Sequence, residues 1–402
     1  MNYHTKNIFG TRRIYLDHAA ATPLDPRVLK KMQPYWNHHF GNAGGVYREG
    51  ESAREALSLA REDIAHTLSV HPEEIIFTSG GTEANNLAIL GFMEALSRKE
   101  ELARTHIITN SGEHPSVRDS FLFLKEKGVS VSVVDFNEEG IVRPEDIRAL
   151  LRRETRLVSI SYVNNEIGTV QPIHEISEVL REHEKKEKVE VAFHTDASQA
   201  PLYFDCTPKY LGADMMTIDA QKIYGPKGVG FLYKRKNIEL APLMKGGNQE
   251  YGLRPGTENI PLIVGMKESF TEAAAHYMLE SASIASLQDY FIEELKKHVP
   301  RAVLNGDRFK RSPSIINISI PGMDNEYLVI ALDEHGIAAA TKSACLGRQG
   351  EPSYVIELLS KSREVAKSAV RFSLGRKITR KDIDRVVSVL AHEVSKLDRF
   401  KL

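Results

Sequence analysis

Asp219-Ala220-Gln221-Lys222-Ile223-Tyr224-Gly225-Pro226-Lys227-Gly228 is the stretch that decides the fold. It lies between two short apolar runs, 213–218 and 229–233, so its first lysine sits on the connection between two strands. Gly225, Pro226 and Gly228 force a tight turn behind that lysine. Upstream, Val189, Val191 and Phe193 mark another strand, which ends in His194-Thr195-Asp196-Ala197-Ser198-Gln199. Working outward, strand-like and helix-like runs alternate. Leu57, Ala60, Ile64 and Leu68 recur at helical spacing. Strand 74–78, helix 82–96, strand 106–109, helix 115–125 and strand 129–134 follow, then helix 144–152, strand 157–163, helix 173–182 and strand 189–194. This alternation predicts an α/β fold with a mainly parallel sheet flanked by helices. From about residue 260 the pattern changes to a long helix, 260–299, and then to shorter elements: 314–320, a helix 326–334, 370–374, and a last helix from Thr379. These predict a smaller C-terminal α/β domain, with the long helix bridging the two.

The chain has 402 residues, enough for two domains and a large core, and its 42% hydrophobic and 27% charged content is that of a soluble globular protein. A formal net charge of −1 gives no electrostatic case for nucleic acid or an anionic membrane. No apolar run reaches transmembrane length, and residues 1–13 lack the apolar core of a signal peptide. Two cysteines, Cys206 and Cys345, make no disulfide framework, so a reducing cytoplasm is expected.

An acid ending one strand, Asp196, and a lysine after a neighbouring one, Lys222, suit pyridoxal 5′-phosphate: the lysine holds the aldehyde as a Schiff base and the acid keeps the pyridine nitrogen protonated. Thr78-Ser79-Gly80-Gly81-Thr82 lies between a strand and a helix, where free N–H groups suit a phosphate. Glu113-His114 and Asn164-Asn165 also follow strands; an imidazole there can stack on a flat ring or move protons. Singly, each has a plainer reading as a cap, a turn or a surface charge. Together, four clusters at the ends of separate strands mark the place where open α/β folds bind ligands. Cys345 sits in a polar, glycine-containing segment beside Lys342 and Arg348, whose charge favours the thiolate; Cys206 lacks that setting and reads as structural. Arg371, on a strand, is a natural clamp for an amino-acid carboxylate, its plainer reading being a surface ion pair.

These residues resemble the PLP-dependent cysteine desulfurases of the class V aminotransferase group, in their group I, iron–sulfur-cluster-assembly branch. The resemblance runs from Ile14–Pro23 to the final helix and includes Thr78–Asn86, Glu113-His114, Val163–Gly168, Gly225–Gly228, Arg254–Asn259, Ser343-Ala344-Cys345, Glu351–Tyr354 and Arg371–Arg376, in order. It implies the fold type I architecture of PLP-dependent transferases, with a large PLP-binding domain, 15–262, and a small domain, 1–14 with 263–402, carrying the catalytic-cysteine loop. It also implies a homodimer with the site at the subunit interface. Lys222 would carry the cofactor and Asp196 would face its pyridinium. His114 would stack on the ring and move protons, and Gln199 and Asn165 would bond its hydroxyl region. Gly81 and Thr82 would hold the phosphate, beside Asp219 and Gln221. Thr257 would reach the phosphate of the neighbouring subunit, and Arg371, with Asn165, would bind the substrate. Cys345 would attack the sulfur of L-cysteine, leaving a persulfide and releasing L-alanine. A cluster scaffold or a tRNA-thiolation protein would accept the sulfur.

Two departures stand out. The family reads Ser-x-His-Lys where this chain has Asp219-Ala220-Gln221-Lys222, and Asn-Pro-Ser-Ser-x-His where it has Asn42-Ala43-Gly44-Gly45-Val46-Tyr47. Two unit charges about 4 Å apart repel by roughly 4 kcal/mol at an effective dielectric of about 20. Asp219 is therefore expected to turn away from a phosphate, pair with a cation such as Lys227, or hold a proton. Competing readings are another class V enzyme (an aminotransferase or a selenocysteine lyase), a metal hydrolase using His18, His114 and the His194–Asp196 pair, and a weakened, partner-binding paralogue. Cys345 separates the first of these from a desulfurase.

Overall fold

A computed structural model of the chain describes residues 12–341 and 352–400. The first strand is Ile14–Tyr15 (β1). The main sheet is built from Ile75–Thr78 (β2), His106–Asn110 (β3), Ser130–Val134 (β4), Thr155–Ser159 (β5), Ala192–Asp196 (β6), Met215–Asp219 (β7) and Gly230–Lys234 (β8). Its order is β2-β8-β7-β6-β5-β3-β4. β8 runs antiparallel to both of its neighbours, and the remaining strands share one direction. β2, β3 and β7 are buried along their whole length, which is why they read as continuous apolar runs.

Two apolar layers sandwich the sheet. Ile76, Ile107, Leu157, Met215 and Leu232 pack on Leu87, Met93, Val117 and Phe121. On the other face Phe77, Ile108, Val158, Phe193, Met216 and Phe231 join Ile64, Leu68, Ile176 and Phe270. The alternation of neighbours such as Ile76 and Phe77 between layers is the two-residue period of a strand.

The helix Ile260–His298 starts at the Asn259 cap, whose Oδ1 accepts from the Leu262 N–H at 3.3 Å. It packs on the helices Pro26–Met32, Arg48–Leu68 and Arg380–Phe400. Beyond it come Val303–Leu304 (β9), Ile315–Ser319 (β10), Ile337–Ala338 (β11) and Ala369–Ser373 (β12). β12, β10 and β9 form an antiparallel sheet, and β11 pairs in parallel with β1, joining the two ends of the chain.

The single helix expected over 82–96 is interrupted. Gly81–Asn86 and Phe92–Leu96 are α-helical, while Leu87–Gly91 widens into a π-turn. The cause is long-range: the Ala241 N–H donates to Gly91 O at 2.9 Å, and a Cβ on Gly91 would lie 2.8 Å from Ala241 O. Among the described residues no helix is long and apolar enough to cross a membrane.

Candidate active site

Every strand that shares the common direction delivers its C-terminal end to one rim of the sheet. At the end of β2, Gly80 adopts φ 145°, a conformation that favours glycine, and opens the helix Gly81–Asn86. Gly81 lies against β6 and β7: a Cβ there would stand 3.3 Å from Ser198 Oγ and 3.4 Å from Asp219 Oδ2. Thr82 is exposed and, with Asn86, His114, Ser116, Asp119 and Phe123, lines a cleft of about 490 Å³.

From β6 a polar chain crosses to β3. Asn85 Nδ2 donates to Asp196 Oδ2 at 2.7 Å and to Ser116 Oγ at 2.9 Å. Ser116 Oγ lies 2.8 Å from His114 Nδ1, which also accepts from the Ser116 backbone N–H at 3.2 Å. A backbone N–H can only donate, so Nδ1 is the acceptor and the neutral ring carries its proton on Nε2. Burial, reinforced by the Lys222 charge, holds the His114 pKa below its usual value against the opposing pull of Asp196, Asp119 and Asp219. The imidazole thus senses the lysine and both acids singled out from the sequence. Asp196 Oδ1 accepts from the Ser198 N–H at 3.0 Å.

Lys222 ends the 3-10 turn Ala220–Lys222 after β7. Its ammonium donates to Ala19 O at 2.8 Å and to Ala20 O at 2.6 Å, and Gln199 Nε2 donates to Ala19 O at 2.9 Å. The N-terminal segment is stitched to the lysine turn: Thr22 N and Thr22 Oγ1 each donate to Gln221 O at 2.8 Å, and Tyr224 N donates to Thr22 Oγ1 at 2.7 Å. Gly225 is required here, because a Cβ would meet Ser269 Oγ at 2.4 Å and Ala220 O at 2.8 Å.

Asp219 has a partner that the sequence reading did not name. Gln221 Nε2 donates to its Oδ2 at 2.9 Å and Gln221 N to its Oδ1 at 3.2 Å. The carboxylate stays beside Gly81, 7% exposed, instead of turning out to Lys227. The local reason is the 3-10 turn, which folds the side chain two residues on back over the acid.

On the far side of the cleft, Asn164 organises its own loop, accepting from Glu166 N at 2.9 Å and Ile167 N at 3.0 Å. Asn165 is half-buried, and its carbonyl accepts from Arg371 Nη1 at 2.7 Å. Arg371, on β12, is 1% exposed, and its Nη2 donates to Asp17 Oδ1 at 2.7 Å. The plainer reading of this arginine, a surface ion pair, therefore fails on burial. Thr257 is exposed, in the loop after Pro255, and no hydrogen bond described in this chain joins it to the other site residues. Cys345, with Lys342 and Arg348, lies outside the described residues. Just beyond them, Ser353 Oγ donates to Glu166 Oε2 and Tyr354 OH to Glu113 O, fastening that segment to the loops after β5 and β3.

Three participants carry no role in the sequence reading: Asn85, Asp17 and Glu113. Glu113 is fully buried, with Oε1 accepting from Ser161 N at 2.7 Å and from Asn110, while Oε2 has no partner among the described residues. Burial, aided by the Asp196 charge, pushes its pKa up to about 8. The folded chain therefore binds this proton more tightly than the unfolded one. The associated stability is full below about pH 4.5 and is lost as pH rises through about 8. His194 acts at the other end: buried beneath Asp196 between Ser159 and Thr217 hydroxyls, it is held down to about 4, so stability falls as pH drops from 6.5 through 4. Glu113→Gln, a neutral isostere, is expected to flatten the alkaline loss by roughly a few kcal/mol. Unfolding followed from about pH 5 to about pH 9 checks this; an unchanged slope relative to the parent would contradict it.

His194 is thus held between hydroxyls, and His18 Nδ1 sits 2.9 Å from Ser373 O. Among the described residues no three His, Cys, Asp or Glu side chains group as a metal site.

The profile of the Aminotransferase class-V family matches residues 14–386. The chain is 40% identical over 386 residues to a protein named cysteine desulfurase IscS from Dictyoglomus turgidum, covering 96% of this chain and 95% of that one. Among solved structures it superposes on a NifS-like protein with a TM-score of 0.87 at 30% identity, covering 95% of this chain and 99% of the other. It also superposes on SspA in complex with cysteine with a TM-score of 0.77 at 35% identity, covering 90% and 98%.

Proposed function

Since this chain belongs to the class-V aminotransferase family, we infer that it is a PLP-dependent cysteine desulfurase, converting L-cysteine to L-alanine and leaving the sulfur as a persulfide on Cys345. The observation that carries this is the placing of Lys222, Asp196 and His114 at the ends of separate strands on one rim, with Asn85 and Ser116 linking the Asp196 carboxylate to the imidazole. The residues fit pyridoxal 5′-phosphate. An acid, a neutral imidazole and a primary amine face one rim, and Ser198 Oγ and Asn85 Oδ1 are buried there without partners among the described residues. Bound there, the cofactor supplies a carbonyl that condenses with amines and a protonated ring that withdraws electrons.

The chain's own groups have separate tasks. Asp196, fixed by Asn85 and the Ser198 N–H, presents negative charge to a ring nitrogen. Lys222 is the amine, and once free it moves the substrate's Cα proton. His114 offers its Nε2–H toward the cleft because Nδ1 is occupied. Gln199 and Asn165 would bond the ring's hydroxyl. Gly81, Thr82 and the N–H groups of their helix hold phosphate. Arg371 takes the substrate carboxylate. A homodimer is part of this reading, supported by the exposed Trp36, Phe40, Val46 and Tyr47 and by the outward position of Thr257. A cluster scaffold or a tRNA-thiolation protein would receive the sulfur. The test is to incubate purified protein with L-cysteine and reductant and to assay sulfide and alanine together. Equimolar products support a desulfurase; sulfide accompanied by pyruvate, or no sulfide, overturns it.

Asp219 and Gln221 occupy positions where the family presents serine and histidine to phosphate. The Gln221 amide offsets the carboxylate, so Gln221→Ala should weaken cofactor affinity by about tenfold or more, and adding Asp219→Ser should restore it. Titration of the apoprotein with pyridoxal 5′-phosphate reads both effects. Unchanged affinity in Gln221→Ala would refute this pairing role.

A further inference from the structure

Arg371 is already fixed without Asp17. It lies on β12 between β10 and the bridge to Ala340, it is 1% exposed, and its Nη1 is anchored on Asn165 O at 2.7 Å. What remains is the edge formed by Nε and one terminal nitrogen, the edge on which a guanidinium grips a carboxylate with two parallel hydrogen bonds. Here that edge is half filled. Asp17 Oδ1 takes Nη2 at 2.7 Å, while Nε is buried with no acceptor among the described residues. Asp17 itself is more accessible than its partner, with side-chain exposure of 21% against 1%, and sits just past the two-residue strand β1. The more accessible carboxylate therefore caps one prong of a buried fork whose other prong is unmet among the described residues.

We propose that Asp17 sets the affinity of this enzyme for amino-acid carboxylates by competing with them for Arg371. Asp17 is the stand-in for the ligand: the same chemical group, already inside the protein, occupying Nη2 until an incoming carboxylate takes both nitrogens and displaces it. The inference rests on reading Arg371 as the carboxylate clamp. It differs from a positioning role in sign. A residue that merely aimed Arg371 would weaken carboxylate binding when removed, whereas a competitor strengthens it.

The experiment uses the cofactor-loaded enzyme and two inhibitors of the L-cysteine reaction: L-alanine, which has the carboxylate, and ethylamine, its counterpart without one. In Asp17→Asn the inhibition constant of L-alanine should fall about tenfold, the KM for L-cysteine should fall with it, and inhibition by ethylamine should not move. Asp17→Ser, which removes the carboxylate through a smaller side chain, should behave alike and guards against a folding defect peculiar to one variant. In an Arg371→Ala background the gain from Asp17→Asn should vanish. Weaker or unchanged inhibition by L-alanine in both Asp17 variants, with Arg371→Ala still lowering carboxylate affinity, overturns the competition and leaves the clamp standing. Undiminished L-alanine inhibition in Arg371→Ala alone overturns the clamp, and the competition falls with it.

Discussion

Lys222→Ala is expected to lower desulfurase turnover by at least about a thousandfold while the chain stays folded. The activity loss follows from the role of the amine, which is both the attachment point of the cofactor and the base for the substrate proton. The folded state survives because the lysine is one of several ties between the N-terminal segment and the turn after β7. Gln199 still donates to Ala19 O, and Thr22 still bonds Gln221 O and the Tyr224 N–H. Of the two carbonyls that lose the ammonium, Ala19 O is in a buried residue but keeps the Gln199 amide, and Ala20 is half-buried, so the stability change should stay near 1–2 kcal/mol, about the value of ordinary hydrogen bonds. Borohydride reduction followed by peptide mapping gives the direct reading. The parent should carry the reduced cofactor on Lys222 and the variant should carry none; an adduct on another lysine would contradict the assignment.

The two cysteines should part company as sharply. Cys345→Ser is expected to cut sulfide and alanine release from L-cysteine by about a thousandfold or more, since a hydroxyl does not accept sulfur as a thiolate does. Cys206→Ser should keep the parent's turnover. Cys206 is 6% exposed, it donates weakly to Phe204 O at 3.6 Å, and burial with the Asp205 charge pushes its thiol well above the usual range. Such a thiol is neutral and shielded. Burying a serine hydroxyl in its place should cost about 1–3 kcal/mol of stability, so thermal unfolding is measured alongside the assay. Full desulfurase activity in Cys345→Ser would refute the nucleophile assignment.

What could be read from the sequence was set by range. The strands around Lys222 and the glycine turn after β2 declare themselves through neighbours a few residues away, and the structure places them accordingly. The π-turn at Leu87–Gly91 was not legible, because its cause is the backbone of Ala241. Nor was Glu113 as a neutral acid, which depends on burial beneath β3 and on Ser161, or Asp17 as the partner of Arg371 across 354 residues. Gln221 is the instructive case. It stands two residues from Asp219, so the pairing was within reach of a local reading, but comparison with the family's serine and histidine drew attention to missing phosphate contacts and away from the contact the two residues make with each other.

The stitching of the chain's beginning to its middle and end also bears on biosynthesis. Ala19 and Ala20 meet a lysine that is translated about two hundred residues later, and β1 is held by β11, while Leu16 O accepts from the Ser373 N–H, partners that follow later still. A nascent chain can close the main sheet early, and the N-terminal lip can then dock on the turn around Lys222, but β1 and Leu16 lack their partners until β11 and β12 have emerged. Contacts of such wide separation form late. The complete site therefore waits for β11 and β12, and a chain cut before them, however well its main sheet folds, should lack Arg371 and the ties on β1.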